Sequence, residues 1–267
     1  MDVSALRQVF SKYPTVHCVI HFAALKAVGE SFQKVLEYYS NNIQGACNLL
    51  KVMEEFKYLP LDEKHRTGNC TNPYGTTKDT VERMMIDLSS ANSEWCITLL
   101  RYFNPAGAHE SGNIGEDPLG IPNNLMPYIA QVAIGRREKI SVYGGDYKTS
   151  DGTGHRDYVH VVDLAEGHVL AVQHILADNR NGTHIFNLGS GTGSTVLEVI
   201  QAFSKACGKE IPYEIVGRRR GDVDSLYASC DRAQEELGWK STRTLESMCR
   251  DMWNWQTKNP TGFNTTK

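Results

Sequence analysis

Hydrophobic positions along this chain fall into two rhythms. Residues 16–24, Val16-His17-Cys18-Val19-Ile20-His21-Phe22-Ala23-Ala24, form a near-continuous apolar run, as does Cys96-Ile97-Thr98-Leu99-Leu100-Arg101-Tyr102-Phe103. Runs of this length and composition predict strands buried on both faces. Between them the period changes to that of a helix. Val35, Tyr39, Ile43, Ala46, Leu50 and Met53 share one stripe, and Val81, Met84, Met85 and Leu88 another. Residues 2–13 read as a short helix. Strand, helix, helix, strand predicts an α/β fold with a parallel sheet. One strand is wanting, because the helical stripes run from Val35 to Leu88 with no strand between them, and the gap falls where Phe56 meets Tyr58.

After Phe103 the texture changes. Residues 104–124 are rich in Gly, Pro and Asn, which predicts a loop and a domain boundary. Helices are expected over 125–136, 163–177 with Asp163 as its cap, 195–206, 232–237 and 245–258. Short strands are expected over 140–143, 158–160, 184–188 and 211–216.

Composition is that of an ordinary globular protein. The 267 residues carry a net charge of −3 with no basic block, so a nucleic-acid partner is not expected. No run of about 18 apolar residues predicts a membrane span, and the N-terminus does not read as a secretory signal. The 7 cysteines are scattered without a C-x-x-C, which predicts reduced thiols and a cytosolic protein. The 9 histidines show no compact ligand spacing, so no metal site is expected.

Candidate chemistry begins at Thr71-Asn72-Pro73-Tyr74-Gly75-Thr76-Thr77-Lys78. Pro73 suits the first turn of a helix, which puts Tyr74 and Lys78 four apart on one face. An ammonium beside a phenol favours the phenolate, so Tyr74 is expected to have a lowered pKa and to move protons. With 12 tyrosines in the chain, one Tyr-x-x-x-Lys match also arises readily by chance, and the plain alternative is a surface tyrosine. A second candidate is Gly189-Ser190-Gly191-Thr192-Gly193, which follows a strand, precedes a helix, and has Glu214 25 residues after Gly189. It mimics a dinucleotide fingerprint, but its spacing is G-x-G-x-G and Pro212 interrupts the second strand.

Longer segments carry a resemblance: residues 21–31, 72–78, 101–107, 115–133, 151–163 and 218–222. Together, over about residues 2–263, they resemble the animal-type UDP-glucose 4-epimerase (UDP-galactose 4-epimerase) family of the extended short-chain dehydrogenase/reductases. The resemblance implies a truncated Rossmann-type parallel sheet with a smaller α/β substrate domain. The NAD-binding domain is expected over 1–105, with about 156–190 returning to it, and the UDP-sugar-binding domain over 106–267. It implies Tyr74 as general base and Lys78 as its electrostatic partner, with NAD as cofactor on Phe22, Lys26, Asn42, Lys78 and Tyr102. The UDP-sugar is expected on Tyr102, Phe103, Asn104, Asn123, Asn124, Leu125, Ser141, Val142, Tyr143, Arg156, Arg219, Arg220, Gly221 and Asp222.

Two departures are local: Arg220 stands where the family commonly has Glu, and Leu226 is intermediate at a position that governs access of N-acetylated sugars. Two are larger. The family's opening strand, Gly-rich turn and helix have no counterpart here, and a Ser-Ser-Ala-Thr-type strand is missing near Phe56. The expectation is a homodimer-forming, cytosolic epimerase whose present chain is inactive. The alternatives are a catalytically dead binding or regulatory fragment, and a related nucleotide-sugar dehydratase or decarboxylase.

Overall fold

The computed structural model describes residues 2–13, 16, 18–55, 72–177, 181–219 and 222–263. The position of the missing strand, at 56–58, lies outside the described residues, as do Arg220, Gly221 and Cys70.

In chain order the elements are α1 (Val3–Lys12), α2 (Val28–Ser31), α3 (Val35–Tyr38), a π-helical segment (Tyr39–Gln44), α4 (Gly45–Glu55), α5 (Pro73–Ala91), β1 (Cys96–Tyr102), β2 (Asn104–Ala106), α6 (Leu125–Ala133), β3 (Ile140–Tyr143), β4 (His155–His160), α7 (Val161–Leu176), β5 (Gly182–Leu188), β6 (Gly193–Thr195), α8 (Val196–Cys207), β7 (Tyr213–Val216), β8 (Ser225–Leu226), α9 (Asp231–Leu237) and α10 (Leu245–Lys258). The chain divides into two compact units, Met1–Leu99 with Ala171–Ile185, and Leu100–Leu170 with Phe186–Lys267.

In the first unit, Asp2 caps α1 by accepting from the Ser4 and Ala5 amides, and Phe10, Leu49 and Val52 form a small core with Val16 and Val19 packed against it. The run over 16–24 corrects the expectation of a strand. Its described residues belong to no sheet. Apolar content makes a strand only when a neighbour supplies a ladder; here Val16 and Val19 pack on the small core while Ile20 and Phe22 stay exposed. The helical stripe is also shifted. Tyr38, Asn42, Ala46, Leu49 and Val52 are buried, whereas Val35 and Tyr39 are 38% exposed. The π-helical segment between α3 and α4 holds one more residue per turn than an α-helix, so an unbroken 3.6-residue period misses the face upstream of it.

In the second unit, β4 is the hub of the largest sheet. It runs parallel to β2 (Asn104↔Tyr158) and β8 (Arg156↔Leu226) and antiparallel to β6 (Asp157↔Gly193). β3 and β7 form a separate parallel pair, with Tyr143 opposite Val216. β1 pairs with β5. Helices α6, α8 and α10 close around Met126, Ile129, Phe203, Met248 and Trp255, all buried. A capping box opens α8, in which Thr195 and Glu198 satisfy each other's backbone amides. Asp163 does not cap α7. It lies within the first turn, and its carboxylate accepts instead from Ser241, Thr242 and Arg243.

Candidate functional site

Tyr74 and Lys78 occupy the first two turns of α5. Asn72 caps this helix by accepting from the Gly75 amide at 2.8 Å, and Pro73 takes the first-turn position where no N–H is missed. The Tyr74 amide donates to the hydroxyl of the fully buried Ser31 at 3.2 Å, and that hydroxyl donates to the Val28 carbonyl at 2.7 Å. Thr77 donates to the Tyr74 carbonyl and accepts from Asn42 Nδ2 at 3.0 Å. Asn42 also exchanges two hydrogen bonds with the backbone of Leu25, at 2.9 and 3.0 Å. A single buried amide therefore ties the segment carrying Phe22 and Lys26 to the helix carrying Tyr74. Phe22 is 67% exposed, so it presents an aromatic face rather than filling the core.

The Lys78 ammonium lies 5.9 Å from the centroid of the Tyr74 ring, and the Tyr38 ring meets that ring edge-on at 6.5 Å. The electrostatics correct the sequence expectation. Burial raises the Tyr74 pKa above its ordinary value, and burial lowers that of Lys78. Removing the phenol from water costs the phenolate more than the ammonium returns at this separation. His21 is lowered as well, first by burial and then by the Lys78 charge.

In the second unit the expected nucleotide residues fall into three groups. Tyr102 ends β1, and its hydroxyl lies 2.5 Å from His168 Nε2. His168 Nδ1 faces the Leu164 carbonyl at 2.8 Å, which can only accept, so Nε2 is left to accept from Tyr102. The Phe103 amide donates to the Leu188 carbonyl, and Asn104 Nδ2 donates to the Asp157 carbonyl at 2.7 Å. Asn123 is exposed, and Asn124 and Leu125 open α6. The Asn124 side chain turns to Glu116 instead of capping that helix.

The third group surrounds Asp222. Arg219 Nε reaches one of its carboxylate oxygens at 3.0 Å and Arg156 Nη2 the other at 3.5 Å. The Arg219 guanidinium also lies 5.0 Å from the centroid of the exposed Tyr143 ring. On β3 the side chains alternate: Val142 enters the core, while Ser141 and Tyr143 share the other face. Arg218 behaves differently from its neighbour. It stacks on Tyr147 at 4.0 Å and holds Asp146 at 2.7 Å.

The 189–193 turn is also resolved. The buried Asp157 carboxylate accepts from the Ser190 and Gly191 amides at 2.7 and 3.1 Å. These are the groups that a dinucleotide fingerprint would aim at a pyrophosphate, and here an internal carboxylate already holds them. Sequence reading missed Ser31, Thr77, His168 and Asp157. Each acts through a contact distant in sequence, and although Ser31, Thr77 and Asp157 lie within the resembling segments, no local pattern gives them a role.

Comparison with known proteins follows the same lines. The family described as GDP-mannose 4,6 dehydratase matches residues 1–60 and 55–252. Human UDP-glucose 4-epimerase is 54% identical over 282 aligned positions, covering 99% of this chain and 80% of the human one. A crystal structure of UDP-glucose 4-epimerase from Bifidobacterium longum in complex with NAD+ and UDP is 50% identical. It superposes with a TM-score of 0.92, covering 98% of this chain and 82% of that one. The Stenotrophomonas maltophila enzyme with bound NAD and formylated UDP-arabinopyranose is 42% identical with a TM-score of 0.89, covering 96% of this chain and 80% of that one. By sequence and by its Rossmann-type α/β fold, the chain belongs to the UDP-glucose 4-epimerase family.

Proposed function

We propose that the residues of this chain are arranged for the interconversion of UDP-galactose and UDP-glucose, with Tyr74 moving the proton of the sugar 4-hydroxyl, and that the chain lacking the strand expected near Phe56 turns over little or not at all. The observation that carries the reading is the Tyr74–Lys78 pair, held on one helix face by Asn72, Ser31 and Thr77. A phenol raised by burial is a strong base once deprotonated, and the nearby ammonium steadies the phenolate when it forms. NAD, when bound, supplies hydride exchange at sugar C4, so that the centre inverts without net redox.

The cofactor residues fit its reacting end: an exposed aromatic face at Phe22 and the exposed ammonium-bearing side chains of Lys26 and Lys78. In the second unit, Tyr102 presents an exposed phenol whose proton is directed to His168. Asn42 has its amide fully engaged by Leu25 and Thr77, so it supports this set rather than touching the cofactor. The 189–193 turn does not fit the pyrophosphate, since Asp157 occupies it.

Inversion at C4 requires the sugar to turn, so most binding energy must come from the part that does not react. The guanidiniums of Arg156 and Arg219, held side by side by Asp222, suit the diphosphate, and Ser141 with Tyr143 suits the uracil. Replacing Arg219 with Ala is expected to weaken UDP binding by about 1.5–3 kcal/mol, the range for a charged hydrogen bond. Equal UDP affinity of the two proteins in calorimetry removes the assignment. A product assay separates epimerisation from dehydration or decarboxylation.

The second reading, a binding or regulatory chain, draws on one observation. Human epimerase aligns over 282 positions with a chain of 267 residues, so at least 15 of its positions have no counterpart here. In either reading the partner is a second epimerase chain, in the cytosol where thiols stay reduced. Phe32, Val35, Leu36 and Tyr39 are exposed apolar residues on and beside α3, and Leu36 is 84% exposed. Co-expression with a full-length epimerase and size analysis is expected to give a mixed dimer. Two separate species count against it.

A further inference from the structure

The turn that imitates a dinucleotide fingerprint has a different occupant. Asp157 lies in β4 directly after Arg156 and is completely buried. One carboxylate oxygen accepts from Ser190 N and Ser190 Oγ, both at 2.7 Å. The other accepts from Gly191 N at 3.1 Å and Ala228 N at 3.0 Å. Its backbone carbonyl accepts from Asn104 at 2.7 Å. One residue therefore binds three segments that are remote in sequence. Successive amides turned toward one point make a concave anion nest, and a fixed carboxylate fills it here.

The glycines of the turn match this arrangement and not a nucleotide. A Cβ at Gly189 would stand 2.6 Å from Asp157 Oδ2 and 2.7 Å from the Ala228 Cβ. A Cβ at Gly193 would enter the His155 ring. The turn lacks side chains because it is pressed onto β4. In the ladder Arg156 lies opposite Leu226, and two residues later Ala228 donates to Asp157. The carboxylate thus fastens the segment after β8 to the strand that carries Arg156.

We propose that Asp157 is a positioning residue for the diphosphate clamp. By filling the nest of Ser190, Gly191 and Ala228 it fixes the backbone from which Arg156 reaches Asp222 and the incoming phosphates. The inference rests on the reading that Arg156 and Arg219 hold the UDP diphosphate. Removal of the carboxylate takes the shared acceptor from the Ser190, Gly191 and Ala228 amides and frees β8 to shift against β4.

The test is UDP binding by calorimetry to the full 267-residue chain and its variants. Asp157→Asn is expected to weaken UDP about tenfold or more, since its amide turns a donor toward other donors. Asp157→Gly is expected to weaken it similarly and to recover as formate is added, because formate supplies the missing carboxylate. Failure of formate to restore a folded Asp157→Gly overturns the proposal.

Ser190→Ala removes one donor and leaves the ladder intact, and a two- to fivefold loss is expected. Should the Asp157 variants not fold, Ser190→Ala decides by itself, and unchanged UDP affinity overturns the proposal. In the double variant Asp157→Asn with Arg156→Ala, the second change is expected to add little. Losses that simply multiply indicate a general structural role and overturn the positioning role. Arg156→Ala alone separates the two readings. If it leaves UDP affinity unchanged, the diphosphate assignment falls and takes the proposal with it. If it weakens UDP while Asp157→Asn does not, only the role of Asp157 is lost.

Discussion

At the scale of single residues, burial decides charge more often than neighbours do. Tyr74 and Lys78 sit on one helix face, yet burial moves the phenol up and the ammonium down. A difference spectrum between the chain and Tyr74→Phe is expected to titrate above the ordinary tyrosine value of about 10. A midpoint below that value would restore the simple picture of a lysine-activated phenol. The Lys78 charge is felt at His21, which it lowers in addition to burial. Lys78→Met is expected to move the His21 proton resonance titration upward, and no movement counts against the coupling. Adjacent arginines divide their tasks in the same way. Arg218 is spent on Tyr147 and Asp146, whereas Arg219 shares Asp222 with Arg156. Arg218→Ala is expected to lower the melting temperature with little change in UDP affinity, and Arg219→Ala to do the reverse. The same loss of UDP affinity in both variants would erase the distinction.

At the scale of elements, the π-helical segment and α5 form the support for Tyr74. The wider π turn carries Asn42, whose side chain is 3% exposed, onto the backbone of Leu25 and the hydroxyl of Thr77. Asn42→Ala takes the partner from the Leu25 amide and carbonyl and one of two partners from Thr77, and is expected to cost about 2–3 kcal/mol in urea unfolding. A loss under about 0.5 kcal/mol would mean that water replaces the amide. Asn72→Ala is expected to cost about 1 kcal/mol through the lost cap. Much of this architecture was legible in the sequence. Asn72-Pro73 marked the start of α5, an apolar run marked β1, and the expected spans of β3, α8 and α10 match the observed ones closely. The candidate site was read mainly from order along the chain, from Tyr74 and Lys78 through Asn104 and Arg156 to Arg219 and Asp222. What was not legible depends on partners far away. The run over 16–24 has strand composition but belongs to no ladder, the stripe before the π turn slips by a residue, and Asp163 serves residues 241–243 instead of capping α7.

At the scale of the whole molecule, stability and turnover rest on long-range connections of this kind. Burial by itself would raise the Asp163 carboxyl, but hydrogen bonds from Arg243, Thr242 and Ser241 hold it below its ordinary range. A carboxyl depressed in the folded state binds fewer protons there than in the unfolded chain. Its contribution is therefore complete above the unfolded pKa and is lost as pH falls through the folded one. Asp163→Asn is expected to be about 3 kcal/mol less stable at pH 7, with the two stability curves converging in acid. Parallel curves would assign the loss to packing alone. The internal gap bears on turnover in a comparable way. The family match runs over residues 1–60 and again over 55–252, so its two parts meet near Phe56, where a hydroxyl-bearing strand is expected in the family. Such a strand would bring a second proton-relay hydroxyl to Tyr74 and a ladder edge to the run over 16–24. Restoring it after Phe56 is expected to raise interconversion of UDP-galactose and UDP-glucose about a hundredfold or more, the usual scale of general acid–base assistance. The same insertion is expected to slow hydrogen exchange at Val19 and Ile20, because their amides gain strand partners. Faster turnover without added protection would mean that the hydroxyl matters and the strand does not. Equal turnover with and without the insertion would show that Tyr74 and Lys78 manage the proton unaided.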